Sequence, residues 1–480
     1  MRLSPRALLS IGLVLGACGP SGGIPGDDDA GGGNRDGSMS GRDGGIDMPP
    51  DGPVARPGTI TGRVWAPGNA PGMVPAGEEI PIAGAVIYVR DEAPTAFPDG
   101  AYCDPCQDLP PNAVVSDVHG YFQVPVTAGA HKLVIDKAQF RRVESITVAA
   151  DEAVELPAAK TTLPSKHDPS HGQWIPHIAL AIADSDHVED ILAKMGFVDV
   201  NASGRAVEAS FGRTDWLDLY AAIENDVLWD DPGPPPFESQ HKGSISDLFT
   251  NVNRMKRYHI IFVPCNYDSD VSWLMRADVR RNIQEYVAAG GKLYITDWSA
   301  EWEDAAFPDF IQLDDTIDTT AAMVASNTIN VVDGDFGHFS RHSSAADPIL
   351  KTWLDGQKGP LIEPTSDDPE VPGNYVDGTI DADDFVIEGA WTLIRGLPTV
   401  TIGTDMHGNP IRNTAKTWIS GDYLGQQSPH TVTFEPSCGR VLYSTYHTAD
   451  KTHRGLVPQE RVLLYLIMEI GVCNPIEDPG

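Results

Sequence analysis

The stretch from Tyr258 to Thr296 constrains the fold more than any other part of the chain. It opens on Tyr258-His259-Ile260-Ile261-Phe262-Val263, an apolar run of strand length. A loop at Pro264-Cys265-Asn266 follows, then a helical pattern from about Met275 to Ala289. Gly290-Gly291 stops that helix, and Lys292-Leu293-Tyr294-Ile295-Thr296 is the next strand. Strands joined in this way run parallel, because a helical crossover returns the chain to the same end of a sheet. The pattern recurs on either side. Ile175 to Ala183 reads as a strand, after which Asp184-Ser185-Asp186 caps a helix carrying Val188, Ile191, Leu192 and Met195 at helical spacing. Arg440 to Tyr446 reads as a late strand and Pro458 to Ile470 as the last helix. The expectation for residues 175–475 is an α/β, flavodoxin-like parallel sheet with helices on both faces and an irregular insertion at about 308–431.

Residues 58–150 have a different grammar. Thr59 to Trp65, Ala85 to Val89, Gly120 to Val124 and His131 to Ile135 are short, β-rich segments separated by turn residues, with no helical period. They predict a small all-β sandwich, joined to the α/β part by a polar linker at 151–174. The order Gly62-x-Val64, Gly84-Ala85-x-Ile87, Asp117-x-x-Gly120-x-Phe122, then Gly129 before an apolar strand, resembles the carboxypeptidase regulatory-like (transthyretin-like) domain, an immunoglobulin-like sandwich. That resemblance implies a scaffolding, spacing or adhesion role and no catalysis.

Ahead of this lies a Gly-, Asp-, Pro- and Ser-rich segment, 19–57, which is too poor in large apolar residues to repay ordering and reads as a disordered tether. Residues 1–18 carry Arg2 and Arg6, then an apolar run from Ala7 to Ala17 of signal-peptide length. Their end, Leu15-Gly16-Ala17-Cys18, resembles the bacterial lipobox. The resemblance implies a diacylglyceryl thioether on Cys18 and a membrane partner engaged through that lipid. Gly19 in place of Asp points to the outer membrane within the cell envelope, facing periplasm or surface. The balance of 68 acidic against 34 basic side chains, formally -34, disfavours nucleic acid and anionic membrane surfaces as partners.

Five cysteines remain in an oxidising compartment. Cys103-Asp104-Pro105-Cys106 can be a redox site, half of a zinc site or a structural disulfide. Its Pro-rich loop in a β-domain favours the disulfide over a helix-activated thiol. The strand from Arg440 and the returning helix to Ile470 each span on the order of 20 Å in opposite senses, which brings Cys438 towards Cys473 and favours a second disulfide. Cys265 is then left as the free thiol.

Tyr258 to Cys265, Tyr286 to Asp297 and Gly439 to Thr448 together resemble the class I glutamine amidotransferase-like fold, including its trehalose-utilisation-type relatives. Catalytic members place a cysteine on a glycine-flanked strand-to-helix elbow and activate it with a His-x-Glu pair. The matching elbow here reads Ile295-Thr296-Asp297-Trp298-Ser299-Ala300, and His447 is followed by Ala449, leaving Asp450 as the only substitute carboxylate. The resemblance therefore implies a degenerate domain without amidotransferase chemistry.

Ligands of open α/β sheets bind outside the carboxyl ends of the strands. That rule collects Asp184, Asp186, Asn266, Asp268, Asp297, Glu301 and His447 into one candidate ligand cleft. Carboxylates with a histidine suit a divalent cation, the one candidate cofactor, or a hydroxyl-rich sugar. The competing explanation is that the aspartates are helix caps and the rest are loop residues. The acidic group Asp377, Asp381, Asp383 and Asp384 lacks calcium-loop spacing and reads as surface. The expectation is a non-catalytic envelope lipoprotein that binds or scaffolds a protein or glycan partner. The alternative is a carbohydrate-active or metal-assisted hydrolase using the acidic cluster with His447.

Overall fold

A computed structural model of the chain describes residues 57–68, 74–103, 110–183, 186–221, 237–265, 274, 276–313, 339–366, 371–423 and 426–469. Cys18, Cys106, Asp184, Asn266, Asp268 and Cys473 lie outside them. The chain is β-rich, with few helices and mixed sheets.

Eight short strands come first: β1 (Gly58–Arg63), β2 (Val86–Arg90), β3 (Val114–Val115), β4 (Tyr121–Val126), β5 (Gly129–Lys137), β6 (Phe140–Val148), β7 (Ala153–Glu155) and β8 (Gln173–Trp174). They form one sheet in the order β4-β1-β7 and another in the order β3-β2-β5-β6-β8. β4 shows why: Phe122, Val124 and Val126 are buried while Tyr121, Gln123 and Pro125 are exposed, the period of a strand with one face inward. Its buried residues join Ile60, Ile87, Leu133, Ile135 and Phe140 in one apolar cluster. The expected linker at 151–174 is corrected here, since β7 pairs with β1 and β8 with β6.

The second body of structure is a sheet of ten strands. Its strands are β9 (Ile178–Ile182), β10 (Leu217–Ala221), β11 (His241–Ser244), β12 (Ile260–Val263), β13 (Lys292–Thr296), β15 (Phe339–Ala345), β18 (Phe385–Ala390), β22 (Lys416–Tyr423), β23 (Gln426–Phe434) and β24 (Arg440–Ser444). Between them lie three two-stranded pairs: β14 (Gln312–Leu313) with β19 (Ile394–Gly396), β16 (Lys358–Glu363) with β17 (Asn374–Thr379), and β20 (Thr399–Thr404) with β21 (Pro410–Thr414). The order is β11-β10-β9-β12-β13-β24-β23-β22-β15-β18. From β11 to β24 every pairing is parallel, and β9, β12 and β13 are buried at every residue, as strands covered on both faces must be. From β24 onwards the pairings are antiparallel. The expected all-parallel sheet is thus mixed, and the stretch 308–431 supplies β15, β18, β22 and most of β23 rather than an irregular insertion.

Five helices bear on the argument: α1 (Val188–Lys194), α2 (Ala277–Ala288), α3 (Ala300–Asp304), α4 (Pro348–Leu354) and α5 (Pro458–Glu469). Among the described residues no helix is long and apolar enough to cross a membrane. The described residues all belong to one compact unit, and one apolar cluster runs from Ile60 and Phe122 through Ile178 to Val462.

A disulfide joins Cys103 to Cys438, with the α-carbons 5.7 Å apart. This corrects both expected pairings, Cys103 with Cys106 and Cys438 with Cys473. The reason is local packing. Gly290, at φ +93°, lets the backbone of Tyr102 approach so closely that a β-carbon at 290 would meet the Tyr102 oxygen at 1.9 Å. The segment is pinned further where the Ala101 N–H donates to the Lys256 carbonyl (3.0 Å) and the His259 Nε2–H to the Pro98 carbonyl (2.8 Å). Cys103 is thereby laid beside the start of β24, where Cys438 waits.

Candidate functional site

At the carboxyl ends of β9, β12, β13 and β24 the structure brings together Asp186, Cys265, Thr296, Asp297 and the segment His447-Thr448. Asp186 is fully buried. One of its oxygens accepts from the Thr448 N–H (2.9 Å); the other accepts from the Thr296 hydroxyl and, at 3.4 Å, from the Cys265 N–H. A single carboxylate thus bridges three strand ends. The sequence reading of Asp186 as a helix cap is corrected: the residue preceding α1 is His187, and its side chain makes no capping bond.

Asp297 closes β13 at the elbow and is also fully buried, with φ +45°. A non-glycine residue in the left-handed region costs energy and persists only where its surroundings hold it. Here the Trp391 N–H donates to Asp297 Oδ1 (3.0 Å), the Tyr443 hydroxyl donates to the Asp297 carbonyl (3.0 Å), and the Cys265 thiol lies 3.7 Å from Oδ2. Cys265 is free and buried. Burial, then the charges of Asp297 and Asp186, push its thiol well above the ordinary range, which suppresses the thiolate a nucleophile needs.

His447 is buried too. Its Nδ1–H donates to the Thr448 carbonyl (2.7 Å), while Asp450 Oδ1 stands 3.6 Å away, too long for a hydrogen bond. Gly389, at φ +72°, leaves the room for the imidazole: a β-carbon there would lie 2.2 Å from the ring. Glu301, on α3, is buried beside Glu303 and Asp304. The charges of Asp297, Glu303 and Glu301 all act on the Tyr443 hydroxyl, whose pKa burial pushes up. A cavity of about 20 Å³, room for about one water, touches His447 at this edge and is lined also by Thr296, Thr431, Tyr446, Thr448 and Gln459. Of the expected residues that are described, Asp186, Asp297 and His447 meet around Thr296, Cys265 and Thr448, Glu301 sits on α3, and all four are buried. The acidic residues Asp377, Asp381, Asp383 and Asp384 are exposed, as expected.

Sequence reasoning missed Thr296, Thr448, Tyr443, Gly389 and Trp391. The first three sit within or beside strands that were recognised, so their position was available and their role was not. Gly389 and Trp391 come from the stretch read as irregular. A neighbouring trio at the same edge, His187, Glu189 and Asp190, was also passed over. His187 Nδ1 lies 3.1 Å from Glu189 Oε1, and burial raises the Glu189 carboxyl in spite of that partner.

No family model matches the chain, and no curated protein matches it. Among solved structures the chain is similar to a ThuA-like protein from Parabacteroides merdae ATCC 43184, at 12% identity over 62% of this chain and 89% of that one, with a TM-score of 0.27. A likeness that weak supports no inference about fold or function.

Proposed function

We propose that the protein is a cell-envelope lipoprotein whose folded part binds or scaffolds a protein or glycan partner without chemically altering it. A lipid on Cys18 anchors it to the outer membrane, residues 19–57 act as its tether, residues 58–150 as a transthyretin-like sandwich, and residues 175–475 as an amidotransferase-like, flavodoxin-type domain that has lost its nucleophile. The observation that carries this reading is the elbow after β13. Asp297 occupies the strained position there, and it is locked by the Trp391 N–H and buried from solvent. The nearest thiol, Cys265, is held in its unreactive form. Such a site contributes bonds that hold four strand ends together and, among the described residues named here, offers no exposed attacking group.

The test uses the full-length protein in detergent, incubated with cell-envelope polysaccharide. Co-sedimentation without release of new reducing ends is expected. Release of reducing ends that disappears in Asp297→Asn overturns the reading and installs the hydrolase alternative. Labelled palmitate should enter the wild-type protein and not Cys18→Ala; equal labelling of both would remove the anchor.

A further inference from the structure

We propose that His187, Glu189 and Asp190 form a binding site for a divalent cation of the zinc class. The proposal goes beyond the reading above and does not depend on it. The three residues lie in sequence where β9 gives way to α1, and one ligand-type atom from each falls within 4.8 Å of the others. Two features point to a ligand.

The first is an unmet polar atom. The Glu189 side chain is 3% exposed, and its Oε2 is buried with no hydrogen-bond partner. A buried carboxylate oxygen left without a donor or a cation is costly, and a cation bound by this carboxylate would offset that cost. The second is spacing. Tetrahedral coordination with metal–ligand bonds of about 2.0–2.2 Å places neighbouring ligand atoms about 3.3–3.5 Å apart. His187 Nδ1 and Glu189 Oε1, hydrogen-bonded at 3.1 Å, lie close to that spacing, and an ion would replace the proton they share.

The outer partners of the trio are also in place. The Ala206 N–H donates to Asp190 Oδ1 (2.7 Å) and the Arg205 guanidinium to Oδ2 (3.1 Å); each oxygen keeps a second lone pair, so these bonds orient the carboxylate without using it up. The His187 N–H donates to the Thr448 hydroxyl (2.7 Å), which fixes the backbone that carries the imidazole. The His187 side chain is 21% exposed, giving an ion a way in that the buried carboxylates lack. Two carboxylates and an imidazole outweigh the partial positive charge at the start of the seven-residue α1. Three protein ligands leave a fourth position for water.

The test is calorimetric titration of the metal-stripped, full-length protein in detergent with Zn²⁺, followed by the same titration of Glu189→Gln and His187→Asn. One saturating Zn²⁺ per chain is expected, weakened at least about tenfold in each variant, with thermal unfolding confirming that the variants are folded. Zn²⁺ should also raise the unfolding midpoint of the wild type and not that of Glu189→Gln. Absence of saturable binding by the wild type below about 100 μM, or binding that both variants retain unchanged, overturns the proposal. If a variant fails to fold, Co²⁺ added to the wild type decides. Intense visible bands of a four-coordinate ion support the site, and the weak bands of an octahedral ion overturn it.

Discussion

Lowering the pH from 7.5 to 5 should destabilise the protein through His259 by about 2 kcal/mol. His259 is buried, its Nδ1 accepts from the His177 N–H (2.8 Å), and its Nε2–H donates to the Pro98 carbonyl (2.8 Å). Both ring nitrogens are thus committed to the neutral imidazole, and a second proton on Nδ1 would face a donor. Burial, with the Lys292 charge next, pulls its pKa from 6.5 down to about 3. A folded pKa below the unfolded one means that the unfolded chain takes up the proton first, so stability is full above 6.5 and is lost as pH falls towards 3. At about 1.36 kcal/mol per unit, the 1.5 units between 6.5 and pH 5 give about 2 kcal/mol. The assay is urea unfolding followed by tryptophan fluorescence at both pH values, on the wild type and on His259→Asn. Asparagine keeps an acceptor near the place of Nδ1 but cannot gain a proton. Its own cost, from the stranded Pro98 carbonyl, is about 1–3 kcal/mol at either pH. The variant should therefore lose about 2 kcal/mol less than the wild type over this interval. Equal losses in the two proteins would refute the reasoning.

Glu460 is buried against His453 (2.9 Å) and Lys194 (3.5 Å); although burial raises its pKa, these two partners outweigh burial and hold it at about 2 against 4.5. Its contribution is full above 4.5 and is lost as pH falls towards 2, so Glu460→Gln should cost about 3 kcal/mol in neutral urea unfolding and flatten the acid limb. Gly389→Ala would drive a β-carbon into the His447 ring, and a loss of about 1–3 kcal/mol by the same measurement is expected. Cys103→Ser and Cys438→Ser should each cost about 2–5 kcal/mol and show the same midpoint, and the double variant should be no worse than either, because one bond is lost in all three.

In the parallel half of the large sheet β9, β12, β13 and β24 were legible because they are mainly apolar and because Gly290-Gly291 stops the helix before β13, whereas β10, with Asp218, and β11, His241-Lys242-Gly243-Ser244, lack such a run and were missed. The expected strand at Lys292 to Thr296 coincides with β13, and the expected helices near Met275 and Pro458 appear as α2 and α5. The antiparallel half was hidden by its own irregularities. β23 contains Pro429, which weakens a strand reading, and its pairing with β22 shifts register between Thr417 and Ile419. β17, in a separate two-stranded pair, is largely exposed and carries little apolar alternation. At the site, residue types and strand ends could be read, but burial could not. An aspartate ahead of a helix looks the same in sequence whether it caps that helix or, like Asp186, turns away to bind Thr296, Cys265 and Thr448. The Cys103–Cys438 pairing was out of reach for another reason: contacts between segments 335 residues apart depend on the finished sheet.

That long-range bond has a consequence for how the chain would behave under a protease. A single cut at any point between Cys103 and Cys438 leaves two pieces still covalently joined, so a nicked molecule runs as one species until it is reduced. Whichever piece remained attached to the N-terminal end would keep the other with it. Cleavage in the long middle of the chain would therefore not by itself release the C-terminal strands, and a reductant would have to act before that half could diffuse away.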